Sequence, residues 1–341
     1  MKLSDVCTKG TSNIAQKDLD ARNGTYPIYG ASGFIKNVDF YHQEKPYIAI
    51  VKDGAGVGRV MQLPAKSSVI GTMQYIIPNE GVSVEYLAYA LEHMNLSKYY
   101  LGAASPHIYF KDYCNESLPN YTPEEQARIS QILGVVCNLI SLRKQQLAKL
   151  DQLVKSRFIE MFGDPITNSK CLPTNNLGKV LLLKAGDFTA ASDIAADPTT
   201  ENIYPCYGGN GIRGYVAEYN QEGSYSLIGR QGALSGNVQY ATGKFKNTEH
   251  ALLVTPLIEM NSVWLNHLLI NLDLQRYQTG AAQPGLSVKN LQEIPIIEVP
   301  KEDQNQFADF VKQTDKSKLA IQQSLEQLEI LKKSLMQKYF G

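Results

Sequence analysis

The first 121 positions alternate short apolar runs with polar breaks marked by Gly and Pro. Tyr47-Ile48-Ala49-Ile50-Val51 and Tyr75-Ile76-Ile77 are aromatic and β-branched, and their bounds predict strands. Val84–Leu96 and Ser262–Leu274 carry the three-and-four spacing of helices. At Thr122 the texture changes. Thr122-Pro123-Glu124-Glu125 is a helix start: the threonine caps free amides, proline fits the first helical position, and Glu125 reaches back to the cap. From there to Gly163 only Gly134 interrupts, which predicts one long helix.

The whole pattern occurs twice. Tyr26-Pro27-Ile28-Tyr29-Gly30 returns 178 residues later as Tyr204-Pro205-Cys206-Tyr207-Gly208. The same offset carries Gly54-Ala55 to Gly232-Ala233, Gly58 to Gly236, and Phe162-Gly163 to Phe340-Gly341. Gly102-Ala103-Ala104 with Pro106 likewise becomes Gly280-Ala281-Ala282 with Pro284. A period this long means a duplicated domain rather than a solenoid unit. The expected organisation is a globular domain at 1–121, a long helix at 122–163, a second globular domain at 164–300 and a second long helix at 301–341.

The two helices share a heptad seam. In the first it runs through Leu133, Val136, Ile140, Arg143, Leu147, Leu150, Val154, Arg157 and Met161. In the second the equivalent positions include Val311, Ile321, Leu325, Leu328 and Leu335, with Thr314, Lys318, Lys332 and Tyr339 between them. Leu133, Val136, Ile140, Leu147, Leu150 and Val154 are expected to pair with Val311, Ile321, Leu325, Leu328 and Leu335. Arg143 stands where the other seam has Ile321, and Val154 where it has Lys332, so neither stripe suits pairing with its own copy. Antiparallel pairing of the two different helices is the natural solution. Forty residues make a rod of roughly 60 Å, an upper limit on the separation of the domains.

Composition narrows the function. Hydrophobic residues make up 43% and charged residues 19%, enough to build cores, and the formal net charge is zero. A non-specific coat on nucleic acid needs a marked cationic excess. Five scattered cysteines without a Cys-x-x-Cys pair give neither a metal site nor a disulfide framework, which fits a reducing cytoplasm. The polar opening Met1-Lys2-Leu3-Ser4-Asp5 gives no signal peptide, and no run of eighteen apolar residues suggests a membrane span. Zinc spacing, Gly-x-Ser-x-Gly, a Walker loop and Pro-Pro are absent from the sequence. No cofactor and no metal are expected in this chain. Asp53-Gly54-Ala55-Gly56-Val57-Gly58 resembles a nucleotide loop, yet its counterpart Gln231-Gly232-Ala233-Leu234-Ser235-Gly236 loses the middle glycine. It reads as a tight turn with positive φ at Gly54 and Gly232.

Candidate DNA contacts come from comparing the copies. Lys52 and Arg230, Lys66 and Lys244, and Lys111 and Lys289 stay basic at equivalent positions, as contacts to phosphate at a shared face require. Arg59, Arg213 and Lys246 add further cations. His107 and Tyr109 stand opposite Gly285 and Ser287, Gln283 opposite Ser105, and Gln231 opposite Asp53. Polar groups that differ between matched loops suit the reading of different base edges. Two other readings of the chain are a coiled-coil protein scaffold and a fused DNA methyltransferase or nuclease.

The ordered set of motifs is similar to that of the specificity subunits of Type I restriction-modification enzymes, along essentially the whole chain. It comprises the opening Lys2-Leu3-Ser4-Asp5-Val6-Cys7, loosely repeated at Leu177-Gly178-Lys179-Val180. It also includes Thr279–Ser287, the Glu-Glu-Gln and Glu-Asp-Gln triplets at 124–126 and 302–304, and Phe158–Asp164. The resemblance implies an α+β fold: two similar target recognition domains separated by two long helices in an antiparallel coiled coil, a pseudo-two-fold repeat. It implies a non-catalytic subunit that reads a split, asymmetric site in double-stranded DNA. Two methylation subunits using S-adenosylmethionine, and two restriction subunits using ATP and Mg, are the implied partners.

Overall fold

The computed structural model describes residues 1–100, 106–280 and 284–341. They form two compact units, Met1–Lys144 with Gln323–Gly341, and Gln145–Gln322. In chain order the first half contains α1 (Leu3–Val6), β1 (Cys7–Thr11), β2 (Tyr26–Gly30), β3 (Gly33–Val38), β4 (Tyr47–Val51), β5 (Val60–Leu63), β6 (Ser68–Val69), β7 (Met73–Pro78), α2 (Val84–His93), α3 (Phe110–Tyr113) and the long α4 (Pro123–Phe162). The second half contains β8 (Thr174–Asn176), α5 (Leu177–Val180), β9 (Leu181–Ala185), β10 (Tyr204–Gly208), β11 (Gly211–Val216), β12 (Gln221–Gly229), β13 (Val238–Asn247), β14 (Ala251–Pro256), α6 (Ser262–Asn271), α7 (Val288–Gln292), β15 (Pro295–Ile297) and the long α8 (Lys301–Phe340). No helix among the described residues is long and apolar enough to cross a membrane.

The second unit carries one six-stranded sheet, β11-β10-β13-β12-β14-β9, and a small β15-β8 pair. The first carries the same order broken in two, β3-β2-β6 and β1-β7-β4-β5. The break falls where β13 runs unbroken from Val238 to Asn247, while its counterpart stops at Leu63 and resumes at Ser68. Pro64 stands in the gap where the second copy has Thr242. Proline has no N–H for the ladder, so it weakens pairing at that point of a strand. Lys66, at φ +53°, completes the detour.

Strand β4 is buried along its whole length. Ile48 and Ile50 face a core with Leu87, Leu91 and Ile108, while Tyr47, Ala49 and Val51 face another with Ile28, Val69 and Tyr75. The period of two thus feeds both faces of the sheet. Helix α2 stops at His93, short of the expected Leu96, because Asn95 turns left-handed at φ +49°. Asp273 does the same after α6 at φ +48°.

Within each unit the two long helices run antiparallel. In the first, Ile129 and Leu133 cluster with Met336, and Lys144 pairs with Glu329 at 2.9 Å. In the second, Asp151 pairs with Lys318 at 2.7 Å and Phe158 meets Phe307 with ring centroids 5.4 Å apart. Of the seam positions Leu133, Val136, Val154, Val311 and Thr314 are buried. Ile140, Leu147, Leu150, Ile321, Leu325, Leu328 and Leu335 are half-buried. Burial deepens towards the helix ends, where aromatic residues beside the seam lock onto the sheet domain: Phe158, Phe162 and Phe307 pack with Trp264 in one core.

At the start of α4, Thr122 and Glu125 exchange bonds as a capping box, Thr122 N donating to Glu125 Oε2 at 2.8 Å and Glu125 N to Thr122 Oγ1 at 3.3 Å. The next residue in each triplet is a buried bridge. Gln126 donates to the Tyr121 carbonyl at 2.9 Å and accepts from Ser83 N at 3.0 Å. Gln304 donates to the Val299 carbonyl at 2.8 Å and accepts from Asn261 N at 2.8 Å. Each glutamine therefore ties the start of a long helix to the N-cap of the short helix packed beside it. Gln304→Leu leaves an amide and a carbonyl unpaired, so the urea midpoint falls by the equivalent of about 1–3 kcal/mol. An unshifted midpoint contradicts the bridge.

Candidate functional site

The two sheet domains build the same turn after their central strand. In the first unit Gly58 N bonds back to the Val51 carbonyl at 2.9 Å, closing the loop 52–57. In the second Gly236 N bonds to the Gly229 carbonyl at 2.7 Å. Gly54 and Gly232 have φ of +82° and +83°, the left-handed conformation that glycine accepts without strain. Gly58 and Gly236 are fixed by space as well. A Cβ on either would lie 2.5 Å or 2.6 Å from the backbone nitrogen of Ser97 or Gln275. A second segment clamps each turn. Gly54 N donates to Pro106 O at 3.0 Å and Ile108 N to Lys52 O at 3.0 Å; Gly232 N donates to Pro284 O at 2.8 Å and Leu286 N to Arg230 O at 2.9 Å.

On this shared frame the side chains differ. In the first unit Asp53 bonds to the His107 ring, and Lys52 Nζ stands 3.7 Å from the same carboxylate. His107 packs on Tyr109 at 4.1 Å between centroids, and Lys111 lies 5.3 Å over the Tyr109 ring. Arg59 reaches the Ala31 carbonyl at 2.9 Å, joining the turn to the tip of the β2–β3 hairpin. Four candidates, Lys52, His107, Tyr109 and Lys111, thus form one continuous cationic and aromatic cluster with Asp53, and Arg59 follows on the same turn.

The second unit fills the equivalent place with Arg230 and Gln231. Gln231 bridges to Gly285 and accepts, through Oε1, from His250 Nδ1 at 2.9 Å. An open depression of about 420 Å³ lies beside it, lined by Arg213, Asn210, Gln231 and His250 among others. A second, of about 350 Å³, lies between Arg230, Gln231 and Gly285–Ser287. Among the described residues no group of three His, Cys, Asp or Glu side chains is placed to hold a metal ion.

The family model of the Type I restriction modification DNA specificity domain matches residues 1–152 and again 175–330. The chain belongs to that family. Over 157 residues it is 41% identical to the EcoprrI specificity subunit of the Type I restriction enzyme of Escherichia coli, an alignment covering 46% of this chain and 37% of that protein. The match therefore spans well under half the length of that relative. The crystal structure of a Type I restriction-modification S subunit from M. genitalium superposes over 100% of this chain and 95% of its own, with a TM-score of 0.69 at 18% identity. A chain from a solved structure on complex assembly and conformational transition of the type I R-M system covers 100% of this chain and 96% of its own, with a TM-score of 0.56 at 16% identity. Both likenesses are likenesses of fold.

Within each specificity domain the remaining candidates lie elsewhere, and Lys66 and Lys244 stand at the strand end away from the turn. Lys244 sits opposite Glu222 in the register of β12 and β13, and Arg230 follows Gly229 at the other end of β12. Eight positions of strand separate them, about 26 Å. Lys66 likewise follows β5 at the Tyr47 end of β4, whereas Lys52 follows its Val51 end. Lys244 stands 4.8 Å over the Tyr219 ring, and the Tyr219 hydroxyl, followed by Glu222, raises its ammonium above the ordinary lysine value. Lys246 lies 3.7 Å from Asp187, whose carboxyl is held below its ordinary value first by Asn220. Lys289 lies exposed on α7. Gln283 lies outside the described residues. His250, which the sequence comparison missed, stands where the first copy has Thr72 and carries no repeat signal. The pairing of Arg230 N with the His250 carbonyl, at 3.1 Å, brings it to the turn.

Proposed function

We propose that this chain is the sequence-reading subunit of a Type I restriction-modification system, each sheet domain reading one half of a split, asymmetric site in double-stranded DNA. One observation carries the reading most directly. Two domains with the same turn, clamped by the same backbone bonds, present different polar groups there: Asp53 with His107 in one, Gln231 with His250 in the other. A constant frame with variable hydrogen-bonding groups is what direct readout of two different half-sites requires. Lys52, Arg59 and Lys111 in the first domain, and Arg213 and Arg230 in the second, supply cations beside those groups for phosphate contact. Lys66, Lys244, Lys246 and Lys289 serve as more distant phosphate contacts. The chain directs methylation of adenine and restriction by partner subunits and performs neither step itself. Two methylation subunits bring S-adenosylmethionine, two restriction subunits bring ATP and Mg, and the paired long helices are the platform that sets the spacing of the two half-sites.

The test expresses the chain with a methylation subunit from the same system in a host free of adenine methylation, and maps methyladenine by long-read sequencing. The expected result is a motif of two short blocks around a fixed unread gap, present only when the chain is present. A stable complex that methylates no defined motif contradicts the reading.

A further inference from the structure

Asp53 is the one acid in the turn 52–57, and it stands among cations. Its Oδ1 takes a bond from Nδ1 of His107, on the segment that the backbone pairing of Gly54 with Pro106 and of Ile108 with Lys52 holds in place. A carboxylate only accepts, so this bond has one direction whatever the second nitrogen of the ring carries. The other oxygen is free of such a bond. Lys52 Nζ stands 3.7 Å from Oδ2, too far for a hydrogen bond, and among the described residues Oδ2 has no hydrogen-bond partner. The side chain is 37% exposed. Oδ2 is therefore an acceptor that meets solvent and cannot donate. Gln231, its counterpart, carries both an oxygen and an amide nitrogen and has no such fixed sense.

On a surface that meets phosphates an acid weakens binding, because like charges repel. Lys52 beside the carboxylate, and Lys111 and Arg59 near it, offset part of that repulsion. A donor on the DNA offsets the rest. Base edges present few donors: the amino groups of cytosine and adenine in the major groove, and that of guanine in the minor groove. Asp53 stands with the rings of His107 and Tyr109, whose centroids lie 4.1 Å apart. A group of that breadth fits the major groove, about 12 Å wide, and not the minor groove, about 6 Å wide.

We propose that Asp53 reads an amino group in the major groove, so that the first unit demands cytosine or adenine at one position of its half-site. The proposal rests on the DNA-reading function set out above and adds the chemical class of the base. Guanine O6 and thymine O4 are acceptors, and either one would face the carboxylate lone pair to lone pair.

The first probe is a randomised duplex library, bound by the chain in complex with its methylation partner and sequenced after selection. Asp53→Ala relaxes a single position, in one block of the split motif, where the wild-type complex selects cytosine or adenine. Asp53→Asn keeps the size of the side chain and adds a donor, so guanine or thymine enters at that position. The other block stays unchanged in both variants and reports intact folding and assembly. The second probe removes the amino group itself, with purine in place of adenine or 2-pyrimidinone in place of cytosine at the same position. The wild-type complex binds the altered duplex roughly tenfold more weakly than the natural one, whereas the Asp53→Ala complex binds the two alike. The comparison is made within each protein, so the lost negative charge does not mimic the effect. If both proteins lose affinity equally, Asp53 is structural and the proposal is overturned. Selection of guanine or thymine by the wild type at the position that Asp53→Ala relaxes overturns it as well. If Asp53→Ala relaxes nothing while both blocks are still selected, the proposal falls and the DNA-reading function stands. A wild-type complex that selects no motif overturns that function too.

Discussion

Phe307→Ala destabilises the unit Gln145–Gln322 by about 3–5 kcal/mol, the range for deleting a buried phenylalanine ring. Phe307 is fully buried, and its ring touches those of Phe158 at 5.4 Å, Phe162 at 5.8 Å and His267 at 5.3 Å. It joins three elements at once: α8, the end of α4 and the face of α6. The rings around it are braced by the sheet core behind them and cannot close the gap, so the cavity persists. Leu325→Ala, halfway along the seam and only half-buried, costs less than half as much because solvent and the flexible neighbours fill the space. Urea unfolding of the two variants side by side checks the order. Equal losses would mean that the helix pair is held along its middle rather than at its ends.

Acidification weakens the same junction. Burial pushes the His267 imidazole down to about 4 from 6.5, with Asp315 opposing and Lys318 adding to the shift. The unfolded chain takes up its proton near 6.5 and the folded unit only near 4, so between those values the unfolded state binds more protons. Stability is therefore constant above the window, falls as pH drops through it, and levels off below, a loss on the order of 3 kcal/mol. His267→Leu keeps an apolar side chain against Phe307 and removes the titrating group, so its urea midpoint should change far less between pH 7.5 and pH 4.5. A variant that retains the full acid loss would place the sensitivity in other groups.

What the sequence reveals and conceals divides along the line between local pattern and long-range pairing. Strand β4 is legible because five apolar residues in a row have no helical length, and α4 because its cap and its uninterrupted heptads are local. The seam is legible in phase and not in depth. Phe158 and Phe162 each lie one residue beyond the seam positions Arg157 and Met161, and docking in the core that holds Trp264 buries them. The broken strand of the first unit follows from Pro64, yet its significance shows only against the continuous β13. The turn at the candidate site is legible from its glycines, since Gly54 and Gly232 need positive φ. Equivalent cations are legible as pairs but not in their distance from the turn, because the repeat offset preserves position along a strand and says nothing of which end meets the turn. His250 is hidden for the same reason: its place beside Gln231 depends on a backbone pairing between segments 20 residues apart, from Arg230 to His250.

The most direct test of the account is to replace residues 1–121 with the recognition domain of another specificity subunit and to map the methylated motif. The account predicts that one block of the split motif changes to that of the donor, while the other block and the gap between them stay as they were. A change in both blocks, or in the gap alone, would contradict two independent readers held by a fixed helical spacer.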